Sequence, residues 1–258
     1  PSSTECPKIN KDDSPCCKLP KCNRNFKKEN HFLKQVERIC KKNKIVFILD
    51  EMITGFRWDI KGAQNFYGVK PDISTFGKAM ANGFSVAAIC GKRKIMELGS
   101  ITNSKQERVF LLSTTHGAEM NGLAAFIETI KFLKKNDVIE HNWKYGSKLI
   151  LEGNKIAKKI GIDEYFYFSG IACSPIYNCL DSKKNNSLEF RTLFIQEMIK
   201  EKVLIPWISI SYRHNKKTLK KTLQALEKAM IIYKKALKNG VKKYLKGHTV
   251  KPVFRKFN

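Results

Sequence analysis

Ile45-Val46-Phe47-Ile48-Leu49-Asp50-Glu51 is a run of five apolar residues closed by two acids. Its apolar positions are continuous rather than alternating, the pattern of a strand covered on both faces. Immediately upstream, Phe32, Leu33, Val36, Ile39 and Cys40 recur at helical spacing between residues 30 and 42. A helix therefore feeds a buried strand. Downstream, short apolar runs follow at Ile73 to Phe76, Val86 to Cys90 and Val109 to Leu112, each bounded by Gly, Pro, Asn or Ser. Helices alternating with covered strands define an α/β fold.

Beyond these runs the pattern turns helical, first through Leu123, Ala124, Ile127, Ile130 and Phe132, then through Trp143, Leu149, Ile150 and Ile156. Composition changes again near Gly161. Tyr165 to Phe168, Ile171 to Tyr177 and Trp207 to Tyr212 are aromatic or β-branched enough for strands. Leu188 to Lys200 and Asn215 to Lys238 have helical periodicity, with Asn215 as an N-cap and Gly240 as a stop. The expected organisation is an irregular segment at 1–28, part of a large α/β domain at 29–154, and a smaller α+β domain at 155–258.

A length of 258 residues with 42% hydrophobic content can bury a sizeable core. The formal net charge of +26 raises nucleic acid or an anionic membrane as partners. The lysines are scattered in pairs along the whole chain, however, without aromatic interleaving or a nucleic-acid-binding motif, so a solvated surface is the better reading. No apolar run approaches the roughly 20 residues that cross a bilayer. Pro1 to Asn25 lack the h-region of a signal peptide and the Arg-rich pattern of a transit peptide, and a first residue other than Met reads as a fragment or processed product. Cys6, Cys16, Cys17 and Cys22 lack the paired spacing of a metal knuckle. Cys40, Cys90, Cys173 and Cys179 sit among apolar residues, as reduced cysteines of a cytoplasmic protein do.

Chemistry concentrates in Asp50-Glu51-Met52-Ile53-Thr54-Gly55-Phe56-Arg57, Gly62-Ala63-Gln64, Tyr67-Gly68-Val69, Pro71-Asp72 and Phe76-Gly77-Lys78-Ala79-Met80-Ala81-Asn82-Gly83. An acid ending one buried strand and a lysine just after the next both face the crevice where α/β sheets bind ligands. A lone lysine in so basic a chain is ordinarily a surface charge. Its place between Gly77 and Ala79, after an apolar strand, implies a partly desolvated amine, whose lowered pKa favours imine formation. Asp50 can equally be read as a cap after a strand.

From Asn30 to Asn258 these segments resemble the class III aminotransferases, in the branch similar to glutamate-1-semialdehyde 2,1-aminomutase. The resemblance implies the C-terminal part of a pyridoxal 5'-phosphate (PLP) dependent transferase of fold type I: part of the large mixed-sheet domain and a smaller α+β domain. It implies that Lys78 holds PLP as a Schiff base and moves the substrate proton, while Asp50 pairs with the protonated pyridine nitrogen. Met52 falls where the family packs an apolar residue on the ring, and a purely core role fits it equally. Ser113-Thr114-Thr115-His116-Gly117 aligns with a segment whose Thr, here Thr114 beside Ser113, binds the phosphate of the neighbouring subunit, which implies a homodimer. The family's Gly-Ser/Thr phosphate turn and its ring-stacking aromatic are not recognisable, so the chain reads as truncated at its N-terminal side and as binding PLP weakly or not at all by itself. Ile205 to Tyr212 lacks the acid found in the aminomutases. Transamination between a small-molecule amino donor and a carbonyl acceptor is therefore the first reading, the intramolecular aminomutase the second, and a non-catalytic basic binding domain the alternative of another class.

Overall fold

His31 and the helix that follows it show how the first part of the chain is anchored. In the computed structural model, which describes residues 31–100, 102, 107 and 119–251, helix α1 (Phe32–Lys42) has buried His31 as its N-cap. The His31 ring Nε2 lies 2.8 Å from the Tyr67 carbonyl. Tyr67 ends the short helix α2 (Gly62–Tyr67), which Gly68 closes in the left-handed conformation at φ 66°. The Cys-rich segment, the expected strand at 109–112, and Ser113 and Thr114 lie outside the described residues.

Contacts divide the chain into two units, Asn25–Glu140 and, at its C-terminal side, His141–Asn258. The first carries a mixed three-stranded sheet in the order β1-β2-β3. Strand β1 (Ile48–Asp50) runs parallel to β2 (Ile73–Phe76), with Asp50 opposite Thr75, and β3 (Ala88–Gly91) runs antiparallel to β2. Asp72 ties the three together at one end. It accepts the Phe47 amide at 2.8 Å and the Lys92 ammonium at 2.6 Å. The Lys92 hydrogen bond, aided by the Phe47 amide, holds its carboxyl below the usual carboxylate range. The Pro-Asp of the sequence motif is thus a sheet clamp.

One expectation from the apolar run fails here. Leu49 is buried, but Ile48 is 57% and Ile89 54% exposed, and Ile45 and Val46 are also in water. Among the described residues the sheet is covered on one face only. Met120, Ile127 and Phe132 of helix α4 (Met120–Lys135) are exposed as well.

The second unit is built on a hairpin. Strands β4 (Phe166–Ile171) and β5 (Ser174–Cys179) pair antiparallel from Phe166 opposite Cys179 to Ile171 opposite Ser174. Alternation puts Phe166, Phe168, Tyr177 and Cys179 on the buried side. Against them pack helices α5 (Val138–Ile160), α6 (Leu188–Lys200) and α7 (Lys216–Asn239). Phe194 packs tilted against Phe166 at 4.7 Å between ring centroids, and Tyr233 lies 5.9 Å from the same ring. The Tyr233 hydroxyl donates to the Leu180 carbonyl at 2.7 Å, which satisfies the polar tip of a buried ring. Helix α7 begins as its sequence requires. Asn215 Oδ1 accepts the amides of Lys217 and Thr218, while Thr218 Oγ1 accepts the Asn215 amide, a reciprocal cap worth about 1 kcal/mol.

Trp207 to Tyr212, expected to be a strand, is irregular. Pro206 has no amide to donate, and the carbonyls of Ile205 and Pro206 are taken by Tyr177 and Arg191 side chains, so no ladder forms.

Two stability experiments follow from this unit. A Cβ on Gly146 would drive into the Ala172 carbonyl and within 2.7 Å of Ile210. Gly146→Ala lowers the denaturation free energy by about 2 kcal/mol or more in urea titration, whereas Gly247→Ala, which meets nothing, is near neutral. His214 rests on Tyr145 at 5.3 Å and accepts the Ser211 amide, and burial together with nearby His141 lowers its pKa from 6.5. The folded state then binds fewer protons than the unfolded one, so stability is full above about pH 6.5 and falls as pH drops through that value. Thermal midpoints at pH 7.5 and 5.5 will differ more for the native chain than for His214→Asn.

Candidate active site

Asp50 ends β1 at the edge where the parallel strands present their carboxyl ends, and the backbone there is held by its neighbours. Thr75 Oγ1, directly across the ladder, donates to Asp50 Oδ1 at 3.0 Å, and the Met52 amide donates to the same oxygen at 2.9 Å. No hydrogen bond among the described residues reaches the second carboxylate oxygen. Asp50 therefore presents a fixed, exposed acceptor at the mouth of the strands.

Lys78 follows β2 after a single glycine. Gly77 is buried because the Met52 thioether lies against it: a Cβ there would sit 2.9 Å from Met52 Sδ. Lys78 itself adopts φ 45°, in the left-handed region that side chains reach at a cost of order 1 kcal/mol. Asn82, at φ 48°, continues the strained turn, and Gly83 reaches φ 119° without strain because it lacks a Cβ. Such strain recurs where a chain is shaped for function.

The environment of Lys78 differs from the sequence expectation. Its side chain is exposed rather than partly desolvated, although it follows the buried Gly77 directly. No hydrogen bond or ion pair among the described residues engages its amine. Asp50, Thr75, Met52 and Lys78 are thus brought together at one end of the β1–β2 pair, with Met52 half-buried between the strand ends. Ser113 and Thr114, the expected phosphate ligands, fall outside the described residues.

Glu51 was quoted in the sequence motif without a role, and the structure gives it one. Its side chain is fully buried. Oε2 accepts the Ala63 amide at 2.8 Å and the Thr54 hydroxyl at 2.5 Å, and Oε1 accepts the Gln64 amide at 2.7 Å. A carboxylate meeting the open amides at the start of α2 satisfies donors that the helix cannot. Gly62, at φ 83°, permits the approach, since a Cβ would lie 2.6 Å from Glu51 Oε1. Gln64 completes the link by accepting the buried Ser74 hydroxyl of β2 at 3.2 Å. The Asp-Glu-x-x-Thr-Gly and Gly-Ala-Gln segments are therefore two sides of one clamp. Linear spacing does not reveal it, because the contact closes only when α2 folds back over the strand end.

Glu51→Gln turns one acceptor oxygen into a donor facing an amide. The variant will unfold with about 1–3 kcal/mol less stability in chemical denaturation, and the amides of Ala63 and Gln64 will lose hydrogen-exchange protection.

The geometry stands beside known proteins as follows. The pattern of the family described as "Aminotransferase class-III" matches residues 25–164. The chain is 31% identical over 209 residues to the 3-aminobutyryl-CoA aminotransferase of Cloacimonas acidaminovorans, covering 80% of this chain and 48% of that protein. It is 33% identical over 224 residues to the glutamate-1-semialdehyde 2,1-aminomutase of Nitrosopumilus maritimus, covering 82% and 50%. Among solved structures, the FumI protein of Sphingopyxis sp. MTA144 in its PLP internal aldimine form superposes with a TM-score of 0.67 at 20% identity, over 81% of this chain and 48% of that one. An omega-transaminase from Sphaerobacter thermophilus gives 0.66 at 19%, over 78% and 48%. The chain spans about half the length of the relatives it matches.

Proposed function

The chain belongs to the class-III aminotransferase family and has the fold type I architecture of PLP-dependent transferases, and from that premise we propose that it carries the lysine-bearing part of a PLP-dependent aminotransferase site. The observation that supports this best is the pairing at the ends of β1 and β2: one carboxylate with a free oxygen and one amine with no partner among the described residues. Those groups fit the two ends of the cofactor ring. PLP, when bound, supplies an electron-withdrawing ring that accepts charge as a substrate loses its α-proton.

Each residue then has a defined task. Asp50, kept in place by Thr75 and the Met52 amide, accepts a hydrogen bond from the pyridine nitrogen and keeps that nitrogen protonated. Lys78 would hold the cofactor through Nζ and would carry the substrate proton as acid and base. Met52 offers an apolar contact to the ring, steadied against Gly77. Ser113 and Thr114 belong to the reading as phosphate ligands of a neighbouring subunit, and with them a homodimer. The reading takes 29–154 as part of the cofactor domain and 155–258 as the small domain.

An amino donor and a carbonyl acceptor, both small molecules, are the proposed substrates. Intermolecular transamination is preferred because Ile205 to Tyr212 contains no acid. Likeness to the aminomutase of Nitrosopumilus maritimus supports intramolecular amino transfer as the second reading. A cytoplasmic setting accords with the free thiols of Cys40, Cys90 and Cys179. No helix of the described residues is long and apolar enough to cross a membrane.

The purified chain at high PLP concentration will show the visible absorption of a lysine-bound cofactor. Lys78→Ala will abolish the band while far-ultraviolet circular dichroism stays native. Identical spectra for both proteins would remove Lys78 from the role, and tight, strongly salt-dependent binding to DNA would favour a basic binding domain instead.

A further inference from the structure

Outside the Lys78 region, the second unit carries a cation lying close to two aromatic rings, with one of its donors engaged by a backbone carbonyl. Arg191, on α6, has its guanidinium carbon 4.7 Å from the centre of the Tyr177 ring and 5.6 Å from that of Trp207. Both distances lie within cation–π range. One of its nitrogens, Nη2, donates to the Pro206 carbonyl at 2.9 Å. No carboxylate among the described residues forms an ion pair with it. A guanidinium has five N–H donors arranged in its plane, so contact with ring faces leaves in-plane donors for other acceptors.

The support beneath this cation is rigid. Tyr177 is buried, and burial pushes its hydroxyl up to about 12 despite the opposing effect of Arg191, so the group remains a donor at neutral pH. It donates to the Ile205 carbonyl at 2.9 Å and to that of Pro206 at 3.2 Å. Tyr177 and Arg191 together pin the two residues before Trp207. Trp207 itself is 80% exposed, although indole is among the most costly side chains to leave in water. No hydrogen bond among the described residues uses its ring nitrogen.

A pre-stacked guanidinium needs little ordering to receive an anion in its plane, and carboxylate or phosphate matches its fork. An open indole beside it offers a flat apolar surface for the rest of the same molecule. We propose that Arg191 and Trp207 form a binding subsite for a small molecule in which a carboxylate or phosphate adjoins a flat ring, the anion on the guanidinium edge and the ring on the indole. Nothing in this assignment depends on Lys78 or on the amino-transfer reading.

The +26 charge of the chain makes diffuse phosphate binding a necessary control. Phenyl phosphate, inorganic phosphate and phenol are titrated into the full chain at about 0.15 M salt, with heat and tryptophan fluorescence as readouts. Phenyl phosphate will bind saturably and quench fluorescence, inorganic phosphate will bind more weakly, and phenol will not bind measurably. Trp207→Ala will weaken phenyl phosphate about tenfold and leave inorganic phosphate unchanged, while Trp207→Phe will retain most of the affinity. Arg191→Lys, which keeps the charge and loses the fork, will weaken both anions; circular dichroism separates this from unfolding. Equal affinities for phenyl and inorganic phosphate that no variant alters would overturn the subsite in favour of diffuse charge. Trp207→Ala that changes self-association but not phenyl phosphate binding would overturn it in favour of a protein interface.

Discussion

A carboxylate buried under a helix end is the constraint on which the first unit depends. Glu51 cannot leave its place without stranding the amides of Ala63 and Gln64 and the Thr54 hydroxyl. Its position sets α2 against the end of β1, and Gln64 carries that restraint on to Ser74 in β2. His31 then docks the start of α1 on the far end of α2. The strand ends that carry Asp50 and Lys78 are thus fixed from behind by a network with no exposed member at its centre. A buried network of this kind is worth much when complete and costs much when broken, since every member loses solvent on folding.

The second unit solves a different problem by different means. Its hairpin is only two strands wide, too small to be stable alone, and it is held by the aromatic ring of Phe166 at the meeting point of α6, α7 and β5. Phe168 and Gly153 show how close the packing is: a Cβ on Gly153 would come within 2.7 Å of the ring. Charge contributes little here. Ion pairs such as Lys159 with Glu227 lie on the surface, where screening leaves them a few tenths of a kcal/mol each.

The sheet of the first unit leaves Ile45, Val46 and Ile48 in water, and α4 does the same with Met120 and Ile127. Exposed apolar surface of this kind favours association. Such surface explains why a strand that reads as doubly buried in sequence is only half-buried among the described residues.

Local patterns were enough for much of this protein. The run from Ile45 to Glu51, the helical spacing of α6 and α7, and the Asn215 and Gly240 boundaries are short-range features in which each residue's preference agrees with its neighbours'. The motif around Lys78 was legible because a lysine after a strand and an acid ending its neighbour carry recognisable chemistry. Three things required the tertiary structure. Glu51 became a clamp only when α2 returned to it from eleven residues away. Trp207 to Tyr212 lost its strand because side chains from β5 and α6 claimed the backbone carbonyls just before it. Lys78 was left in water because burial is a property of what packs around a residue, and no residue type or spacing specifies that.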